Sequence, residues 1–401
     1  MSAGIEADAG RTRRRGGAVD LSARWAIDLN DYPVDARWSH DGALVAVACA
    51  EGAVFILDGT TGEPRHQLRG HADGALRVAW SSPAGSTAPR SSGVLASAGQ
   101  DGYARLWDPV SGLCLAELDA AGVDRSAPDH RQPPRRVVPW AEHVAWSPDG
   151  MRLATGAGRE VRLWDATGRL VRRHPALAST VSALAWRSRP KDPDGPRLIA
   201  AGYGGGTLYA PERRTIDEQE LAAGQMAAVD HRFDWRGSFL TVAWSPDGRV
   251  LAAGMQESAI HLWVAVAGKH LAFEDLEMSG YPTKVRELAW SADGKQLATG
   301  GAAEVTVWRF AGRGPAGTRP IQLRGHVLPV TDIAFYGSGS LLVSGGEDGQ
   351  LLIWDLIRST KKPLGGVLVP SAVSRVSWHP RERVALAAYA SGRLAAWVAP
   401  R

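Results

Sequence analysis

Cysteine is nearly missing: Cys49 and Cys114 are the only two in 401 residues. Two thiols cannot staple a chain of this length, which excludes a disulfide framework and points to a reducing, cytoplasmic home. Long apolar runs are missing too. No run of about 18 apolar residues occurs, so no membrane-spanning helix is expected. The opening stretch, MSAGIEADAGRTRRRGGAVD, has an arginine cluster but no apolar segment behind it, and supports neither a secretory nor a twin-arginine signal. A large excess of one charge is absent: 46 Lys and Arg against 42 Asp and Glu leave +4, short of a clear nucleic-acid signature. None of the 11 histidines pairs with Cys or His at structural-zinc spacing, so no obligatory metal is expected. Nothing reads as a long amphipathic helix; the best candidate, IDEQELAAGQMAAV from Ile216, carries a glycine inside.

Tryptophan, by contrast, is abundant, with 16 copies. A residue this bulky needs burial or a partner, so its positions should trace the architecture. Aligned on the phrase x-A-W-S-P-D-G, the chain repeats itself eight times, with aromatic anchors at Trp38, Trp80, Trp146, Trp186, Trp244, Trp290, Phe335 and Trp378. The differences between those positions are 42, 66, 40, 58, 46, 45 and 43, a period in the low forties with two insertions. After each anchor come a turn, a phrase such as LATG or LASAG, a second turn with glycine, and an apolar run closing in Trp-Asp or a relative of it. Full closings are Trp107-Asp108, Trp164-Asp165 and Trp354-Asp355; worn ones are Leu57-Asp58, Tyr209-Ala210, Trp263-Val264, Trp308-Arg309 and Trp397-Val398. Short apolar runs bounded by Gly, Pro, Asp and Ser read as strands joined by tight turns.

These eight copies resemble the repeats of WD40 proteins, and the resemblance covers residues 24–398. It implies an all-β fold: a single β-propeller, one four-stranded antiparallel blade per copy, set around a central channel. One blade cannot bury both faces alone, so the copies must stack in a ring. Eight blades are expected; a seven-bladed ring with one stray copy is the alternative. The stretch ARWAIDLN from Ala23 alternates apolar and polar, and the last copy lacks a fourth strand. The N-terminal strand is therefore expected to join the last blade and close the ring, leaving no raw edge. Residues 1–20 form a basic tail expected to be disordered, and 21–401 the propeller. Cys49 reads as a small core residue.

In the family's best-formed blades, a His, a Ser or Thr, an Asp and a Trp make a hydrogen-bonded chain. Copy two supplies His71, Ser97, Asp101 and Trp107; copy seven supplies His326, Ser344, Asp348 and Trp354. Such a trio of His, Ser and Asp could suggest a hydrolase, but catalysis needs one site and packing needs one per blade. These residues are expected to be structural. Copies three and six keep only Thr155 with Trp164 and Thr299 with Trp308. Copy one has Val47 and Leu57 in the Ser and Trp places. Copies four, five and eight have Ala200, Ala253 and Ala388 in the Ser place and are expected to rely on apolar stacking.

The resemblance implies a non-catalytic platform, monomeric and without cofactor, that binds protein or peptide partners. Loops held by a rigid scaffold are where such binding is sought. The turns after LASAG-like phrases and the loops entering each first strand should share one face; the SPDG turns should share the other. The 119–142 loop should rise over the first face, and its Arg131, Arg135, Arg136 and Trp140 are residue types enriched at binding hot spots. By repeat register, Tyr32, Arg159, Tyr203, Gln256, Tyr281, Lys284 and Glu347 stand near the channel mouth on that face. The insertions from Ser81, Arg187 and Ala210 should hang from the opposite face. Two other readings compete. The RTRRR stretch at Arg11–Arg15 with the 119–142 loop could hold a phosphate backbone. The turns in LDGTTGEP and LWDATGRL faintly resemble those of quinoprotein dehydrogenases, propeller enzymes that bind a quinone with calcium, but no EF-hand-like acidic cluster accompanies them.

Overall fold

The computed structural model describes residues 19–82, 93–122, 138–188, 195–209, 229–269, 271–310, 315–337 and 339–401. Every regular element among them is a strand. The reason lies in the burial each strand meets. Second strands such as Leu44–Cys49, Val250–Met255, Leu341–Gly346 and Val384–Tyr389 are buried at every residue. They read as unbroken runs of small and β-branched residues because packed neighbours cover both of their faces. Outer strands such as Cys114–Asp119 and Phe273–Met278 are mostly exposed or half-buried.

The SPDG turns join first strand to second by one local device. Ser39 Oγ donates to Asp41 Oδ1 at 2.6 Å, and the same pair recurs as Ser147 with Asp149, Ser245 with Asp247 and Ser291 with Asp293. Each serine oxygen then accepts the amide that opens the second strand, such as Leu44 N. The fourth residue takes a left-handed backbone, φ 77° at Gly42 and 70° at Gly150, which glycine adopts without strain.

Anchors link one copy to the next. The indole of Trp80 donates to Arg37 O, Trp146 to Ala79 O, Trp186 to Ala145 O, Trp290 to Ala243 O and Trp378 to Ala334 O, at 2.9–3.2 Å. Each acceptor sits one residue before the previous copy's anchor. Phe335 has no N–H to give, and the Nε1 atoms of Trp38 and Trp244 are buried without a hydrogen bond among the described residues. The apolar core is accordingly divided. Among the described residues, eight clusters of buried side chains lie at the junctions between consecutive copies, the last joining Trp25, Trp38 and Val45 to Leu386 and Ala396.

Counted by continuous hydrogen-bonded sheets among the described residues, the propeller has seven blades, the alternative count from the sequence. No copy is stray, however. Copies four and five are fused into one six-stranded sheet by the 16-residue strand Val229–Trp244. Its first half pairs with Tyr203–Tyr209 as the outer strand of copy four, and its second half pairs with Val250–Met255 as the first strand of copy five. Only a bulge at residues 235–237 separates the two ladders, so two repeat units share a sheet while each keeps its own first strand in the ring.

The N-terminal strand Ser22–Asp28 pairs antiparallel with Arg393–Val398, from Ser22 opposite Val398 to Asp28 opposite Arg393. Trp25 Nε1 donates to Gly59 O and its ring meets Trp38 edge-on at 6.3 Å, tying copy eight to copy one. The basic tail needs one correction. Residues 1–18 lie outside the described residues, but Val19 and Asp20 pair in parallel with Gly365 and Gly366, on the outer strand of copy seven. Two residues assigned to a disordered tail are thus part of a sheet. The insertions around 83–92, 189–194 and 210–228, with the helical candidate from Ile216, lie outside the described residues.

Candidate functional site

The two complete tetrads are built as hydrogen-bonded chains. An indole N–H can only donate, so Trp107 Nε1 gives to Ser97 Oγ at 2.8 Å. The serine hydroxyl, 2.8 Å from His71 Nε2, then donates to that nitrogen. This leaves the histidine proton on Nδ1, which donates to Asp101 Oδ1 at 3.0 Å. Copy seven repeats the chain from Trp354 through Ser344 and His326 to Asp348. Burial opposes ionisation of Asp101, but hydrogen bonds from His71 and Arg105 outweigh it and hold the carboxyl down at about 2. The serine oxygens are buried and fully engaged, and no substrate can reach them.

The structure adds members that the repeat pattern did not reveal. Arg105 joins the copy-two tetrad, donating through Nη1 to Asp101 Oδ2 at 2.7 Å and through Nε to Glu117 at 3.0 Å. In copy six, Tyr281 takes the histidine's place: Trp308 Nε1 donates to the Tyr281 hydroxyl at 2.7 Å, and that hydroxyl lies 2.9 Å from Thr299 Oγ1. Burial raises the Tyr281 phenol to about 12. This corrects its placement among free residues at the channel mouth. Copy eight does not rely on apolar stacking alone either. Its Trp397 Nε1 donates to the Tyr389 hydroxyl at 3.1 Å, one residue past the expected Ser position. In copy four, Tyr209 stands in the Trp place, stacks on His174 at 4.0 Å and donates to Pro175 O. Cys49 is buried, and burial with the charges of Asp31 and Glu51 pushes its thiol up to about 12.

The Asp-x-x-Thr-Gly-like turns spend their carboxylates locally. Asp58 Oδ1 accepts the amides of Thr60 and Thr61, and Asp165 Oδ1 accepts from Thr167 and Arg169. They close the turns between third and outer strands.

The first face is defined by a recurring backbone bond. Ala50 N donates to Tyr32 O, Gln100 N to Gly74 O, Gln256 N to Ser238 O, Glu347 N to Pro329 O and Ala390 N to Ala372 O. Each bond ties the turn after a second strand to the segment leading into that copy's first strand. Exposed on this face are Tyr32, Tyr203 at 69%, Val327 at 76%, Leu328 and Trp140. Arg159 is also exposed, but its Nε donates to Leu177 O at 2.6 Å, which holds it to the neighbouring loop. The side chain of Gln256 is exposed. Arg131, Arg135 and Arg136 lie outside the described residues, as do Arg11–Arg15.

The first strands enclose a cavity of about 1360 Å³. Tyr32, Lys284 and Glu347, three of the residues singled out by register, line it together with Leu328 and Pro329. Sequence reading missed its walls, although a signal was present. The residue three before each anchor is, in order, Asp35, Arg77, His143, Ala183, Thr241, Glu287, Asp332 and Arg375. All but Asp35 line the cavity. The wall is therefore uneven: uncharged at copies three, four and five, with acids at copies six and seven and arginines at copies eight and two. Burial, reinforced by the Asp332 charge, lifts the Glu287 carboxyl to about 7. Burial and the Arg77 charge lower His143 to about 4.

Known proteins share these repeats. The family model described as WD domain, G-beta repeat matches residues 62–108, 140–165, 231–264 and 317–355. The model described as Anaphase-promoting complex subunit 4 WD40 domain matches residues 25–83. Cell division cycle 20.1, cofactor of APC complex, from Arabidopsis thaliana is 29% identical over 35% of this chain and 28% of its own length. B-type cell cycle switch protein ccs52A from Medicago truncatula is 25% identical over 54% of this chain and 51% of its own. WD repeat-containing protein slp1 from Schizosaccharomyces pombe is 24% identical over 72% of this chain and 52% of its own. The chain thus spans about half or less of each of these relatives. The crystal structure of the computationally designed Ika8 protein superposes with a TM-score of 0.68 at 17% identity, covering 94% of this chain and 99% of that one, a likeness of fold. The matched repeats, and the ring of sheets they occupy, make this chain a WD40-repeat β-propeller protein.

Proposed function

We propose that the propeller is a non-catalytic interaction platform that takes a protein or peptide partner at its first face, over the mouth of the channel. The observation that carries this reading is the meeting of exposed apolar and charged side chains, Tyr32, Leu328, Lys284 and Glu347, at one opening. Apolar anchors beside charged groups are the composition of a binding patch. The histidines, serines and aspartates that could have served catalysis are consumed inside the blades. The relatives support the reading, since cell division cycle 20.1 is by name a cofactor of APC complex.

The test is affinity capture from an extract of the source cells with mass spectrometry. Wild type is compared with a Tyr32→Ala, Leu328→Ala, Trp140→Ala variant, and with Leu113→Ala, Ile357→Ala in the turns of the opposite face. Partners retained by wild type and the second variant but lost from the first locate the site. Equal capture by all three overturns the first-face reading.

A further inference from the structure

The channel charges are not evenly paired. Asp35 is fully buried and does not reach the cavity. From behind the wall it accepts Arg37 Nε at 3.1 Å and the Val78 amide at 3.2 Å, and Arg375 Nε lies 3.7 Å away. Burial alone would raise the Asp35 carboxyl. The guanidiniums of Arg37, Arg77 and Arg375 outweigh it and keep the group ionised. Asp35 thus hydrogen-bonds Arg37 and holds Arg375 at ion-pair distance, while no hydrogen bond or ion pair joins it to Arg77. Arg77 lines the cavity, and its side chain makes neither a hydrogen bond nor an ion pair among the described residues. All three guanidiniums belong to adjacent copies eight, one and two, and all three line the cavity. Nearby acids are Glu142 on copy three and Asp332 on copy seven. Asp332 is partly engaged, accepting the Val376 amide at 2.9 Å.

An unpaired guanidinium in a half-buried wall is a costly arrangement unless an anion completes it. Guanidinium presents its donors in a planar fork that matches a carboxylate or phosphate face. We propose that the Arg375–Arg37–Arg77 wall is a receptor for an oxyanion, supplied by an acidic side chain of a partner segment that enters the channel from the first face. The proposal rests on the platform reading and names the chemistry its partner must carry. Asp35 acts as the positioning residue: it holds Arg37 and Arg375 in place and leaves Arg77 open to the ligand. The uncharged wall of Thr241, Leu240 and Leu184 across the channel has room for the apolar part of the same segment.

The test uses the full chain and fluorescence anisotropy of a labelled oligoglutamate peptide, with oligoglutamine as the uncharged control. Wild type should bind oligoglutamate, lose it as salt rises, and ignore oligoglutamine. Arg77→Gln and, separately, Arg375→Gln should each weaken binding about tenfold, the loss expected for one charge-assisted hydrogen bond, while Arg77→Lys retains part of it. Arg77 has no side-chain hydrogen bond to lose among the described residues, so its variant should stay folded, which circular dichroism and a single cooperative melt check. Inorganic phosphate should compete with the peptide. Unchanged oligoglutamate affinity in the Arg77→Gln and Arg375→Gln proteins overturns the proposal, as does equal binding of oligoglutamine. Phosphate binding without oligoglutamate binding also overturns it, in favour of a small free anion. If extract partners survive Arg77→Gln but vanish with Tyr32→Ala, Leu328→Ala, Trp140→Ala, the arginine wall is refuted and the platform stands.

Discussion

At the scale of single residues, polar groups buried in this propeller are tolerated because most of them are answered. Ser344 is the pivot of its tetrad, taking the Trp354 indole and giving to His326. Trp354 is fully buried. Ser344→Ala orphans both partners in a dry site, and an unmade buried hydrogen bond costs about 1–3 kcal/mol. A loss of about 2–3 kcal/mol in chemical denaturation is expected, with the slope unchanged. Tyr389→Phe removes one acceptor from Trp397 and should cost about 1–2 kcal/mol. Were copy eight held by apolar stacking alone, that substitution would be silent. Tyr281→Phe makes the parallel case in copy six, where the hydroxyl serves both Trp308 and Thr299.

At the scale of elements, the edge is what needs managing. Unpaired strand edges invite association, and a ring removes them only if its last sheet is completed. Ser22–Asp28 does this for copy eight. Trp25 is nearly buried and ties that strand to copy one through Gly59 and Trp38. Trp25→Ala removes a large core side chain, a change that costs about 3–5 kcal/mol. Deleting residues 19–28 should go further, leaving Arg393–Val398 as a bare edge. Size-exclusion chromatography of that variant is expected to show oligomers or aggregate, against a single monomer peak for wild type. A clean monomer would mean that the last sheet closes without its N-terminal strand.

At the scale of the whole molecule, buried histidines set the response to acid. Burial lowers His143 to about 4, with help from Arg77, and lowers His174 to about 3, with help from Arg172. Both are therefore neutral in the folded protein, whereas the unfolded chain takes up their protons from about pH 6.5 downward. Folded values that lie below unfolded ones mean stability is complete above about pH 6.5 and is lost as pH falls towards about 4. The loss should approach about 1.4 kcal/mol per pH unit for each histidine. Thermal melts taken from about pH 7.5 down to about pH 4.5 should show a falling midpoint that flattens in a His143→Gln, His174→Gln protein. A flat profile in wild type would exclude these groups as the acid-sensitive ones. The tetrad carboxylates act later: Asp101, held at about 2, gives up its contribution only in stronger acid.

The sequence alone determined the repeat, its period, the all-strand content and both complete tetrads, because each rests on a local pattern written several times over. It also carried the closing strand, since ARWAIDLN alternates at the strand period and the last copy lacks a partner. What only tertiary structure decided depends on contacts between strands and between copies. The fusion of copies four and five arises because Val229–Trp244 passes from one hydrogen-bonded ladder to the next across only a bulge at residues 235–237. Tyr281 read as a loop residue, and Tyr389 carried no signal in the repeat pattern; their hydroxyls became structural because each ends beside an indole from a different strand. Most of all, although the residue three before each anchor marks the channel wall, which of those residues meet could not be read along the chain. Arg77 and Arg375 are nearly three hundred residues apart in sequence, and only closing the ring brings them to one carboxylate, which sits between them on the first strand of copy one.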